Sequence, residues 1–163
     1  MPNSYDMMQA MELLTSPLKF YFFPMTMSNL FTYGSLMCAD IMYQVSGQQP
    51  IHQAAYLDDY FCSQMHDETY PGIAPSDGNR VKGVLYLNLD HLALSRLDSF
   101  EGEYYERKEV SVLTESCGQV LAMAYIIKPQ FRHLMTGTPW NYEQFLHTGK
   151  RQFEMNYLGF TRI

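Results

Sequence analysis

Leu30-Phe31-Thr32-Tyr33 is a run of strand-favouring residues that stops on Gly34-Ser35, where an apolar, helix-like stretch begins at once. A strand that hands over to a helix without a linker leaves the first N–H groups of that helix unpaired. Gly34 lets the backbone come close to a neighbour, and the free donors can face an anion or a carbonyl oxygen. Two readings stand at this point: a ligand-binding loop, or a plain turn of the kind most such junctions make. No Gly-x-x-x-x-Gly-Lys-Ser/Thr pattern follows, so this is not a phosphate loop.

The rest of the chain reads as strands interrupted by helices. Ala39 to Val45 has a helical pattern, and Gln53 to Tyr60 is extended, with Phe61 to Met65 continuing past a bend. "TYPGIAPSDGNR" has the Pro, Gly and Asp content of a loop, either rimming a pocket or forming a rigid turn. Lys82 to Leu87 alternates as a strand does. Asp90 is a natural N-cap, and Leu89, Ala93, Leu97 and Phe100 then mark one apolar face of a helix ending near Gly102. Val110 to Leu113 and Val120 to Ile127 form a hairpin across "ESCGQ". Pro139-Trp140 opens a further helix, with Trp140, Phe145 and Phe153 on its buried side. This pattern predicts an α+β fold, a small mixed β-barrel or curled sheet flanked by helices.

The 163 residues suit one domain with a real core. Residues 1–26 differ from the rest: methionines and prolines are frequent, "MMQAMELLT" can form a short amphipathic helix, and "FYFF" can add an edge strand. They are read as an N-terminal extension without a part in chemistry, leaving 27–163 as the domain. A formal net charge of −6, with scattered Lys and Arg, argues against a nucleic-acid partner. No apolar run has the length of a membrane span and no signal-peptide pattern opens the chain, so no membrane partner and a cytoplasmic location are expected. Cys38, Cys62 and Cys117 are far apart and odd in number, and the five histidines lack ligand spacing. No disulfide framework or metal site is expected.

Two residues invite a chemical reading. Glu101 falls in the last turn of the helix that begins after Asp90, where the negative end of the helix dipole opposes its charge. Desolvation by Phe100, Tyr104 or Tyr105 would raise its pKa toward neutrality, which suits a group that both accepts and donates protons. The alternative is an ordinary solvated acid among Asp98, Glu103 and Glu106. Cys38 lies early in a helix, where a thiol pKa can fall, but no histidine is near in sequence, and an inert buried thiol is the plainer reading.

Taken together and in order, "FTYGSLM", "YPGIAP" and "VKGVLYLNLDHLALSRLDSFEGEYYERKEVSV" resemble the gamma-glutamylcyclotransferase-like family, nearest its γ-glutamylamine cyclotransferase branch. The resemblance runs from about Phe31 to Tyr125, and more loosely to "WNYEQF…YLGF". It implies a small mixed β-barrel with flanking helices and a cofactor-independent enzyme. It also implies a glutamyl or 5-oxoproline site at Tyr33, Gly34, Ser35 and Leu36, extended by position to Met37 and Cys38. The family's catalytic glutamate falls on Glu101, and its following Tyr-x-Arg on Tyr105 and Arg107, expected to support the site, with Tyr125 near it. Met37 stands where many relatives carry a basic residue. The implied reaction cyclises a small γ-glutamyl compound to 5-oxoproline and releases an amine. The alternative is a non-catalytic binder of small carboxylates on the same scaffold.

Overall fold

The computed structural model describes residues 26–159. Six strands are present among them: β1 (Ser28–Thr32), β2 (His52–Met65), β3 (Pro71–Leu89), β4 (Tyr105–Thr114), β5 (Gly118–Ile127) and β6 (Met135–Pro139). β1 runs antiparallel to β3 and parallel to β5, β5 forms a hairpin with β4, β4 pairs with β2, and β2 pairs back with β3. Five strands therefore close into a mixed barrel, which removes their open edges. β6 adds to the far end of β2, through Ser63 opposite Pro139 and Met65 opposite Met135.

Strand alternation separates two apolar layers. Phe31, Leu57, Val81, Leu85, Val112 and Ala124 fill the barrel. Their immediate neighbours in sequence, such as Leu30, Tyr86 and Tyr125, face outward and are covered by helices. α1 (Ala39–Ser46) buries Ile41 and Met42 and ends at Gly47, whose φ of 76° suits a left-handed cap. α2 (His91–Glu101) starts as expected on Asp90, whose carboxylate accepts from the Ala93 N–H at 2.8 Å, and it buries Ala93, Leu94 and Leu97. A last helix, α3, spans residues 142–158 and includes π-helical turns at Phe145–Gly149 and Glu154–Leu158; Phe145 and Phe153 are its buried residues.

Several expectations are corrected. The Pro/Gly-rich stretch after Tyr70 is not a loop: Pro71 to Pro75 pairs with Tyr60 to Gln64, and only the bulge around Ser76–Asn79 leaves the ladder. Asp59, at φ 61°, opposes that bulge and accepts from the Gly78 N–H at 2.9 Å. Pro139 does not open a helix but ends β6; Asn141 caps α3 instead, accepting from the Gln144 N–H at 2.9 Å. β1 is followed by a 3-10 turn (Ser35–Met37) before α1 starts, so the change from strand to helix is not direct. The helix expected in "MMQAMELLT" and the strand expected in "FYFF" lie outside the described residues.

β1 lies very close to β3, and Gly83 is the reason. A Cβ at Gly83 would overlap the Thr32 carbonyl oxygen and come within 2.6 Å of the Phe31 ring. That oxygen belongs to a strand paired on both sides, so it has little freedom to yield. Gly83→Ala is expected to destabilise the protein by about 1–3 kcal/mol, measured as a lower midpoint of urea unfolding.

Candidate active site

Alternation along β1 continues to Tyr33, which points inward and is buried. Its hydroxyl donates to the Tyr125 carbonyl at 2.6 Å, so this tyrosine anchors the end of the strand. Gly34 then meets the Pro71 ring: a Cβ there would stand 2.8 Å from Pro71 Cδ. Only glycine permits that approach without a shift of the proline. In the 3-10 turn that follows, the Met37 N–H donates to the Gly34 carbonyl at 2.9 Å and the Cys38 N–H to the Ser35 carbonyl at 3.1 Å. Among the described residues, the N–H groups of Ser35 and Leu36 have no backbone acceptor.

The facing wall is built where α2 ends. Gly102, at φ 72°, reverses the chain and donates its N–H to the Asp98 carbonyl, which leaves Glu101 as the final helical residue. Tyr105 then begins β4, and its hydroxyl donates to the Pro71 carbonyl at 2.9 Å. Pro71 thus touches both walls, its ring on Gly34 and its carbonyl on Tyr105. Between the walls lies a cavity of about 280 Å³ lined by Tyr33, Gly34, Ser35, Leu36, Glu101, Tyr105 and Tyr125, together with Tyr70, Phe100, Tyr104, Phe153 and Tyr157. That volume is at the small end of ligand sites, roughly 300–1,000 Å³.

Asp98 and Glu101 share one helix end but differ in their partners. Asp98 receives Arg107 through two bonds, Nε at 2.8 Å and Nη2 at 3.1 Å, and also the Tyr125 hydroxyl at 2.8 Å. Glu101 faces the cavity with no cation beside it among the described residues. Burial pushes its carboxyl from 4.5 up to about 8, with repulsion from Asp98 as the second cause. A carboxyl poised there can take up and return a proton near neutral pH. Burial likewise raises the hydroxyls of Tyr33, Tyr105 and Tyr125, so these act as neutral donors.

The remaining residues singled out from sequence lie elsewhere. Met37 and Cys38 do not line the cavity. The Cys38 sulfur sits 3.4 Å from the Tyr142 hydroxyl, and burial pushes its thiol pKa up rather than down. Arg107 reaches the site only through Asp98 and Tyr125. Sequence reasoning offered Tyr70 and Pro71 only as part of a possible rim, and it missed Tyr157. The spacing of Phe153 and Tyr157, one helical turn apart, was the available signal for a ring-bearing helix face. Among the described residues, no three His, Cys, Asp or Glu side chains gather as metal ligands. No described helix is long and apolar enough to cross a membrane.

The family model described as gamma-glutamyl cyclotransferase, AIG2-like, matches residues 30–142. Among curated proteins, AIG2-like protein D of Arabidopsis thaliana is 31% identical over 122 residues, which cover 74% of this chain and 80% of that one. AIG2-like protein C of the same plant is 29% identical over 126 residues, 77% of this chain and 73% of its own. Among solved structures, an Arabidopsis thaliana protein determined in solution superposes with a TM-score of 0.60 at 24% identity, over 80% of this chain and 88% of its own. A gamma-glutamyl cyclotransferase superposes with a TM-score of 0.57 at 20% identity, over 76% and 88%. These structures share the closed barrel with flanking helices. With its matching motifs, barrel and extent of similarity, the chain belongs to the gamma-glutamyl cyclotransferase, AIG2-like family.

Proposed function

We propose that this chain cyclises the glutamyl group of a small γ-glutamyl compound to 5-oxoproline and releases an amine, with Glu101 as general acid and base. Membership of the family supports a cyclotransferase-type activity. The observation that carries the finer reading is that Glu101 and the Tyr33–Leu36 turn line the same cavity.

In this reaction the substrate α-amine attacks its own side-chain carbonyl carbon. One C–N bond forms, the bond to the departing amine breaks, and the proton lost by the attacking nitrogen is returned to the leaving nitrogen. No other reactant is consumed. Holding the glutamyl chain curled removes much of the entropic barrier, by up to roughly 7–11 kcal/mol in well-aligned systems. The free N–H groups of Ser35 and Leu36 would grip the glutamyl carboxylate or the developing oxyanion. Glu101 would carry the proton between the two nitrogens, a role worth about 10²–10⁴-fold. Tyr105, Tyr125 and Arg107 would act as positioning residues, since their polar groups are engaged by protein atoms.

Glu101→Gln is expected to keep the fold and 5-oxoproline binding while losing turnover by about 10²–10⁴-fold or more. The assay is 5-oxoproline release, followed by mass, from a panel of γ-glutamyl amines and dipeptides. Near-normal release by this variant would refute the assignment.

A base must begin as the carboxylate, so kcat/KM should rise with pH up to about 8, the value for the free protein. The substrate ammonium favours the charged carboxylate. The corresponding limb of kcat should therefore lie at lower pH, and pH profiles of both parameters test this.

The same carboxyl links stability to pH. The folded protein holds the Glu101 proton up to about 8, whereas the unfolded chain releases it near 4.5. Between those values the folded state binds more protons, so this group's contribution falls as pH rises and is level above the window. Glu101→Gln should accordingly gain stability relative to the parent chain across that window, as read by urea unfolding at a series of pH values.

A further inference from the structure

The cavity contains two sets of aromatic residues. The first set is committed: the hydroxyls of Tyr33, Tyr105 and Tyr125 donate to the Tyr125 carbonyl, the Pro71 carbonyl and Asp98. The second set contributes rings. Tyr70 stands edge-on to Phe153, with centroids 6.4 Å apart at 79°, and to Tyr157, 5.7 Å apart at 74°. Tyr157 leans on Phe153 at 5.0 Å and 40°. Tyr157 remains 40% exposed although it lines the cavity, and its hydroxyl is held by Glu68 at 2.7 Å. A large ring so placed offers a face to whatever occupies the mouth.

Charge narrows the choice of occupant. Glu103 is exposed and lines the same cavity. Arg107, the nearest cation along the chain, is already bound to Asp98 at 2.8 Å. A γ-glutamyl amino acid would bring a second carboxylate on its leaving half, next to Glu103. Like charges brought together in this way discriminate strongly against a ligand. An amine with an aromatic body and no carboxylate meets ring faces and no repulsion.

Resting on the γ-glutamyl reading of this cavity, we propose that the leaving group is an arylalkylamine without a carboxylate. Its ring sits on the wall formed by Tyr70, Phe153 and Tyr157, and Glu103 turns carboxylated amines away. The bonds made and broken are those of the cyclisation itself, with the proton delivered to the arylalkylamine nitrogen.

The test uses the full chain and three probes that differ in one feature each: γ-glutamylphenethylamine, γ-glutamylethylamine and γ-glutamylphenylalanine. kcat/KM for the phenethylamine compound is expected to exceed that of each of the others by at least about tenfold, one comparison reading the ring and the other the carboxylate. Tyr157→Ala should shrink the advantage over ethylamine, and Glu103→Lys the advantage over phenylalanine. Equal rates on all three, or a preference for phenylalanine, would overturn the inference and leave the cyclisation standing. So would 5-oxoproline release from other members of the wider panel but not from the phenethylamine probe. Absence of 5-oxoproline from every γ-glutamyl compound would overturn the cyclisation reading, and this inference with it.

Discussion

β1 and the turn after it meet β3 at two points where a side chain would not fit. At Gly83 the missing Cβ gives space to the Thr32 carbonyl and the Phe31 ring; at Gly34 it gives space to Pro71. The two contacts lie at successive points along the same strand pair and its exit. The first brings β1 flat against β3, so the barrel closes around Phe31 and Leu85. The second brings the turn after Tyr33 against the start of β3, where Pro71 also receives Tyr105. The end of one strand, the start of another and the head of a third are thereby tied together, and the cavity is the space they leave beside the end of α2.

The chemistry of that space follows from an unequal sharing of partners. Asp98 and Glu101 are three residues apart on α2, so they lie on nearly the same face. Asp98 takes the guanidinium of Arg107 and the hydroxyl of Tyr125, which leaves Glu101 without a partner of its own among the described residues. Holding a carboxyl at about 8 costs the charged folded state on the order of several kcal/mol.

Much of this was legible along the chain. Glu101 stood out because a helix that starts on Asp90 and stops on Gly102 must place it in the last turn, whatever the helix packs against. The approach at Gly34 was legible as a possibility, since a strand meeting glycine and serine before a helix leaves donors free. Pro139 misled because proline suits a first helical turn and also suits an edge strand, and only the pairing of Ser63 with it decides between them. The "YPGIAP" segment misled for a related reason. Turn-forming composition is a local preference, and the long ladder to Tyr60–Gln64 overrode it.

What the sequence by itself determined were features with a local cause. Alternation marked the strands, a capping carboxylate and a left-handed glycine bounded α2, and the motif order identified the family. The tertiary structure alone decided which residues share a cavity. Barrel closure brings Glu101 and the Tyr33–Leu36 turn to one space, adds Tyr70 and Tyr157 to it, and leaves Met37 and Cys38 outside. The reason is physical. Helix ends and strand faces follow from contacts within a few residues, whereas burial, and the pKa that burial sets, depends on segments that meet only when a parallel pair such as β1 and β5 closes the sheet.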